Sequence, residues 1–215
     1  MIKAASVGLG WWSDELAKSI QGKSKKKRID FSKKYKTRYH DSLKAILKDP
    51  QIDAIILTTP HTLHAKHTIQ ALRYGKHVFV EKPMATKYLD AKKMYLTAKK
   101  YKKTLSVGHN RRYSSVSDFI NNLNRQKKIG KILHIDSNFS ASGALNYKKK
   151  IWRANRKESP GGAIAGLGIH MIDLMCFLGG QVKSVQSLVK KYAVKVNIDD
   201  TTSALFEFKK NVQET

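Results

Sequence analysis

The chain has 215 residues, an ordinary apolar content of 41% and a formal net charge of +26 at pH 7. No apolar run approaches the roughly 20 residues that cross a bilayer, so the composition argues against a membrane protein. The basic excess consists of 34 lysines against 8 arginines, and the lysines are scattered along every segment. Because base recognition relies on arginine, this pattern favours lysine-rich solvated surfaces over a specific nucleic-acid site. A basic nucleic-acid-associated protein is kept as an alternative.

Two features bear on the compartment. The single cysteine, Cys176, has no partner for an internal disulfide, which fits a reducing environment. The N-terminus passes from Met1 directly into a strand-like segment with no basic region ahead of a long apolar stretch, so we expect no secretory signal. We therefore expect a cytoplasmic protein with no membrane partner.

The first half of the chain alternates short apolar strands with amphipathic helices. Such alternation predicts a mostly parallel, doubly wound α/β sheet of Rossmann type. One helix, opening at Thr86, is expected to turn Ala91, Met94, Tyr95 and Ala98 inward. The predicted strands are Ile2–Val7, Ala54–Leu57, the run from His77 to Glu81, and Leu105–Val107.

The pattern changes near residues 110–115, where strands begin to dominate. An amphipathic helix carrying Val116, Phe119, Ile120 and Leu123 is expected to close at Gly130. We predict residues 1–112 as the α/β domain, and 113–215 as an α+β domain with an open, mostly antiparallel sheet. Its predicted elements are a strand over Ile132–Ser140, a helix over Ile169–Leu178, and strands containing Val182–Val189 and Ala204–Phe208.

A glycine-rich turn follows the first strand. The sequence Gly8-Leu9-Gly10-Trp11 precedes a helix-like segment, as a dinucleotide-binding loop does. Its glycines permit a tight turn and close approach of a pyrophosphate to the helix N-terminus. Ser13 replaces the third glycine of the usual motif and is small enough to keep helix and strand close. Two glycines in a βα turn are also compatible with a purely structural role.

The acidic residue that normally binds the ribose is expected about 20 residues further on. Asp30 lies at that distance from Gly10, but Phe31 and Tyr35 place it on a helix and no strand precedes it. We therefore expect the second strand of the sheet to be absent or eroded. The basic run Lys23–Arg28 suits either a 2′-phosphate or a solvated loop, so NAD and NADP stay open.

The segment Glu81-Lys82-Pro83 places two charges at the carboxyl edge of a buried strand. A surface ion pair is the simpler interpretation, but it does not explain why both charges lie at the edge where ligands bind. A lysine beside a positively charged nicotinamide has a lowered pKa and works as an acid or base near neutrality. Pro83 would fix the direction of the lysine backbone, through a trans or a cis bond.

The chain resembles the family of glucose–fructose oxidoreductase, inositol dehydrogenase and MocA-type proteins. The resemblance spans nearly the whole sequence in the family's order, and the Glu81-Lys82-Pro83 segment is its most specific part. The other matching segments are the glycine loop, Thr58-Thr59-Pro60 with His64, Ala71–Lys82, Gly108–Tyr113, Trp152-Arg153, Gly161–Asp173 and Asp199-Asp200-Thr201.

The resemblance implies an NAD- or NADP-dependent dehydrogenase that acts on a sugar, polyol or related hydroxy or keto metabolite. Residues 1–112 are then its NAD(P)-binding Rossmann domain, and residues 113–215 are an incomplete domain for substrate binding and oligomerisation. Lys82 is then the catalytic lysine, and His170 is the histidine that assists proton transfer. Many members carry an aspartate where this chain has Gly166, so Asp173 is the next candidate to orient the imidazole. Trp152 and Arg153 would lie on the substrate side with Asp173. The cofactor residues would be Gly8, Leu9, Gly10, Trp11, Thr59, Pro60, His64, Glu81 and Asn110, and no metal is implied.

Two departures from the family support an alternative to an active enzyme. The stretch from Gly10 to Asp41 is shorter than in the family, and the chain stops at Thr215, where relatives continue with further strands. That part of the family's sheet carries the subunit contact and one wall of the substrate pocket, so a homo-oligomer is implied but compromised. A degenerate relative with weak or no cofactor binding is the second hypothesis.

Overall fold

The computed structural model describes residues 2–8, 29, 32–33, 38 and 40–209. They belong to two compact units, Met1–Gly108 and His109–Thr215. The predicted boundary, after Arg112, lies four residues later than this division. The predicted loss of a strand between Gly10 and Asp41 falls largely on residues outside the described part.

The first unit contains a parallel sheet of four strands in the order β1-β2-β3-β4. Apolar, β-branched runs build these strands, because a parallel sheet covered by helices buries both faces. The α/β prediction is confirmed. The strands are β1 (Ala4–Val7), β2 (Ala54–Leu57), β3 (His77–Val80) and β4 (Leu105–Val107).

Three helices within residues 40–108 accompany this sheet. They are α1 (Leu43–Lys48), α2 (His61–Arg73) and α3 (Tyr88–Lys100). The hydroxyl of Ser42 caps α1 by accepting from the backbone N–H of Ala45 at 3.1 Å. The core contains Ile55, Leu57, Leu72, Val78, Val80 and Met94, all essentially inaccessible to solvent.

Two details of α3 differ from the prediction. The helix begins at Tyr88, two residues after Thr86. Met94 and Ala98 are buried as expected, whereas Tyr95 is 52% exposed. The helix turns 100° per residue, so the side chain that follows Met94 leaves the buried stripe. Tyr95 instead lies beneath the ammonium of Lys99, 5.0 Å from its ring centre.

The second unit contains two helices and an antiparallel pair of strands. These are α4 (Ser115–Arg125), α5 (Ile169–Gly179), β5 (Val182–Lys190) and β6 (Thr201–Phe208). Helix α4 ends at Arg125, before the predicted stop at Gly130. A small core forms where the β5–β6 loop packs on Ala154, and it contains Val194, Val196 and Ile198. Within the described residues no helix is long and apolar enough to span a membrane.

The predicted strand over Ile132–Ser140 is wrong, because this segment is irregular. A strand requires a neighbour that accepts and donates its backbone hydrogen bonds, and no described strand pairs with it. Its apolar side chains still pack: Ile135 approaches Gly179, and Phe139 faces the ring of His170. Ile132, Ile135 and Phe139 are thus half-buried without sheet pairing.

Candidate active site

The carboxyl ends of the four parallel strands meet at one edge of the sheet. The register aligns Val7 with Leu57, Leu57 with Val80, and Val80 with Val107, which are the final residues of the strands. Ligands of open parallel sheets bind outside this edge. Five predicted site residues follow these strands directly and therefore share it: Gly8, Thr59, Pro60, Glu81 and Lys82.

Gly8 allows the end of β1 to approach the end of β2. Its φ is +105°, and a Cβ at this position would lie 2.6 Å from the carbonyl carbon of Thr58. The Thr58 hydroxyl donates to the carbonyl oxygen of Gly8. Only glycine fits here, as expected for the start of a dinucleotide loop. The rest of the predicted loop, Leu9, Gly10 and Trp11, lies outside the described residues, as does Asp30.

Thr59 supplies a polar atom at the same edge. The residue is buried, and its hydroxyl oxygen has no hydrogen-bond partner among the described residues. Burying a hydroxyl without a partner is costly, so the group is suited to a ligand that completes its hydrogen bonding. With the glycine cradle at Gly8, this edge fits a nucleotide cofactor.

Glu81 is held against the end of β4. Its backbone N–H donates to the carbonyl of Leu57 at 2.9 Å, and the residue is buried. A Cβ on Gly108 would lie 2.5 Å from Oε1 of Glu81, so the carboxylate fills the space that a side chain at 108 would need. Glu81 is therefore buried and does not lie on the protein surface. Sequence reasoning missed Gly108 as a site residue, although its place directly after β4 was the available clue.

Lys82 is half-buried between this acid and the buried Pro83. Its backbone N–H lies 3.3 Å from Oε2 of Glu81. The Lys82–Pro83 peptide bond is cis, the second of the two predicted alternatives. Lys82 thus lies at the sheet edge, and the residues before and after it, Glu81 and Pro83, are both buried.

His64 ties two of the loops at this edge together. Its imidazole is fully buried, with Nδ1 2.8 Å from the carbonyl oxygen of Pro83 and Nε2 2.9 Å from that of Thr59. The side chain was expected to line the cofactor, but it contacts the protein backbone on both sides and presents no surface. We therefore assign it to positioning the loops that carry Thr59 and Lys82.

In the second unit, His170 lies in the first turn of α5. It is nearly buried, and its ring centre is 6.3 Å from that of Phe139. A π-helical turn, Ile164–Gly168, leads directly into α5, and such turns are frequent at functional sites. At Gly166, a Cβ would have no neighbouring heavy atom within 4 Å. The position that holds aspartate in many relatives therefore has room for a side chain.

Asp173, one turn after His170, is engaged by an arginine. Nε and Nη2 of Arg112 donate to its two carboxylate oxygens at 2.7 and 2.6 Å, and this hydrogen bonding raises the pKa of Arg112. Nδ1 of His109 lies 3.7 Å from the same carboxylate. Asp173 was expected to orient the imidazole of His170; the contacts seen instead fix α5 to the turn that follows β4. Neither Arg112 nor His109 was predicted, although both belong to the matched motif.

Asn110 begins a short 3-10 helix, Asn110–Tyr113, and its side chain is exposed. Another 3-10 helix, Trp152–Ala154, carries the two predicted substrate residues. The guanidinium of Arg153 lies 4.2 Å from the Trp152 ring centre, and burial lowers the pKa of this arginine.

The Asp199-Asp200-Thr201 motif organises the loop between β5 and β6. Oδ1 of Asp199 accepts from Arg156 at 2.5 Å. The carboxylate of Asp200 accepts from three consecutive backbone N–H groups, those of residues 192–194, at 2.7–3.1 Å. These hydrogen bonds hold the pKa of Asp200 well below its usual range. The motif therefore shapes the loop in this structure.

Comparison with known proteins decides the family. Residues 3–109 match the oxidoreductase family with an NAD-binding Rossmann fold, GFO_IDH_MocA, and residues 120–215 match the GFO/IDH/MocA C-terminal domain. The chain belongs to the Gfo/Idh/MocA oxidoreductase family. The resemblance predicted from the sequence is confirmed, and so is the assignment of an NAD-binding Rossmann domain to the N-terminal half.

Individual relatives support the same conclusion. The chain is 38% identical over 135 residues to glucose-6-phosphate 3-dehydrogenase of Bacillus subtilis (strain 168), covering 60% of this chain and 38% of that protein. It is 33% identical over 150 residues to scyllo-inositol 2-dehydrogenase (NADP(+)) of the same organism, covering 68% and 40%. A solved NAD-binding protein from Listeria innocua superposes with a TM-score of 0.82 at 26% identity, covering 97% of this chain and 64% of that one. The chain thus spans well under half the length of these two curated relatives.

Proposed function

We propose that this protein is an NAD(P)-dependent oxidoreductase that moves a hydride between nicotinamide C4 and the carbinol carbon of a sugar, polyol or related hydroxy or keto metabolite. The observation that carries the proposal is Lys82, half-buried at the carboxyl edge of an NAD-binding sheet between two buried neighbours. The two curated relatives named above are, by their names, dehydrogenases of a sugar phosphate and of a cyclic polyol.

In this proposal, different residues bind the cofactor, transfer the proton and position the lysine. The backbone at Gly8 and the hydroxyl of Thr59 hold the nucleotide, which supplies the hydride-accepting ring when it is bound. Lys82 polarises the substrate oxygen and gives or takes its proton, while His170 assists that proton transfer. Glu81, buried beside Gly108, fixes the backbone from which Lys82 extends.

Cofactor binding is the first test. NADH and NADPH are titrated separately into the chain, and nucleotide fluorescence and thermal stabilisation are recorded. We expect one or both to bind and to raise the melting temperature, since a ligand that binds only the folded state stabilises it. No binding up to millimolar cofactor would reject the proposal in favour of a relative that has lost its nucleotide.

Turnover on a panel of sugars and polyols is the second test. We expect Lys82→Ala to lower kcat by about 10²–10⁴-fold with cofactor affinity largely retained, because general acid–base catalysis contributes that much. Lys87→Ala is the matched control, since Lys87 is an exposed lysine five residues further along the chain. Equal turnover of the Lys82 variant and the control would exclude the assigned role.

A further inference from the structure

Arg153 combines partial burial with an aromatic platform. Its guanidinium stacks on Trp152, and the removal of this cation from water lowers its pKa. Keeping a guanidinium charge partly out of water is unfavourable unless an anion compensates it. The position therefore calls for a negatively charged partner.

Two other arginines of the same unit, Arg112 and Arg156, have such partners, whereas Arg153 has none among the described residues. Arg112 pairs with Asp173 and Arg156 pairs with Asp199, each at 2.5–2.6 Å. Within residues 40–209, no carboxylate of the structure lies within ion-pair distance of Arg153. Of Arg112, Arg153 and Arg156, only Arg153 therefore has guanidinium N–H groups that can bind the anionic group of a ligand.

The surroundings add to the attraction for an anion. Three consecutive exposed lysines, Lys148–Lys150, precede Arg153, and Lys157 follows it, next to Glu158. This local excess of positive charge raises the concentration of negatively charged ligands.

The backbone that carries Arg153 is fixed. Its carbonyl accepts from the hydroxyl of Ser159 at 2.9 Å, and the next residue, Ala154, is buried against the β5–β6 loop. Ser159 begins the segment that continues through Gly161 and Gly162 to His170. A donor set on a fixed backbone binds with little loss of conformational freedom.

We propose that Arg153 binds an anionic group of the substrate, a phosphate or a carboxylate carried on the sugar or polyol. The inference rests on the proposed function and narrows its substrate class. The guanidinium matches such groups with two parallel, charge-assisted N–H···O hydrogen bonds, which are stronger than those it makes to neutral hydroxyls.

Calorimetric titration of the whole chain tests this directly. The probes are glucose 6-phosphate, glucuronate and glucose, each at about 0.15 M ionic strength so that non-specific attraction to the basic surface is screened. The variant is Arg153→Gln, and Lys157→Gln is the matched control because it removes one exposed charge of the same segment. NADH and NADPH are titrated into all three proteins.

We expect at least one charged sugar to bind more tightly than glucose. Arg153→Gln should weaken that binding at least about tenfold, and Lys157→Gln should weaken it less than about threefold. Equal losses in both variants would show attraction to the basic surface only and would overturn the proposal. So would a charged sugar that binds no better than glucose.

The cofactor titrations separate two sources of phosphate. If Arg153→Gln weakens NADH or NADPH binding but not that of the charged sugar, Arg153 belongs to the nucleotide and the inference is wrong. If the wild-type chain binds neither nucleotide yet binds a charged sugar through Arg153, the proposed function fails while the anion site stands.

Discussion

The two units position their side chains in different ways. In the first, apolar strands and helices enclose a continuous core, and Thr59, Glu81 and Lys82 follow directly from the ends of buried strands. In the second, a core of a few residues is supplemented by ionic and polar contacts of Asp173, Asp199 and Asp200. The antiparallel pair leaves large side chains in solvent, with Leu205 69% exposed.

This difference shows what each half of the candidate site depends on. Packing determines where the sheet edge lies, and with it the position of the lysine backbone on that edge. Where packing is sparse, pairs of charged residues far apart in sequence hold the helix that carries His170. Removing a charged side chain should therefore disturb the structure of the second unit more than that of the first.

The largest expected effect comes from the core of the first unit. Leu72→Ala removes a fully buried side chain and should lower the free energy of unfolding by about 3 kcal/mol, because the site cannot collapse fully around the cavity. Leu205→Ala, in the second unit, should change it by less than about 0.5 kcal/mol. Denaturant unfolding followed by circular dichroism measures both, and similar losses would contradict the contrast between the units.

A smaller effect is expected at the ion pair of the second unit. Asp173→Asn leaves the partly exposed Arg112 without its carboxylate and should cost about 1–2 kcal/mol. Amide hydrogen exchange should show faster opening of α5. Glu207→Gln breaks the exposed pair with Lys183 and serves as the control, with no measurable change expected. Unchanged exchange in α5 of the Asp173 variant would show that packing alone holds the helix.

The smallest effect concerns pH. The folded state lowers the pKa of Asp200, so the folded chain binds fewer protons than the unfolded chain in acid. Its stabilisation is present above the unfolded pKa of about 3.9 and declines as the pH falls towards the folded value. In the wild type, the backbone amides of residues 192–194 should exchange faster as the pH falls below about 4. In Asp200→Asn this acceleration should be smaller. Identical acid profiles of wild type and variant, followed by amide exchange, would contradict this.

The sequence predicted most of the first unit because its information is local. Ala54–Leu57 and His77–Val80 are apolar runs closed by polar residues, and parallel strands bring their ends to one edge. The two contacts of His64 were not predicted, because a side chain between two loops depends on contacts that no periodicity reports. Asp173 pairs with Arg112, which is 61 positions away in the sequence. The strand expected over Ile132–Ser140 needed a neighbour that its own residues do not specify.

The buried ring of His64 has a mechanical consequence. One rigid imidazole separates the carbonyls of Thr59 and Pro83 and contacts both, so it acts as a spacer of fixed width. The two loops can then move only together: a displacement of the threonine is transmitted to the backbone beside Lys82. A shift of α2, which carries the ring, would reach the loop of Thr59 and the loop of Lys82 at the same time.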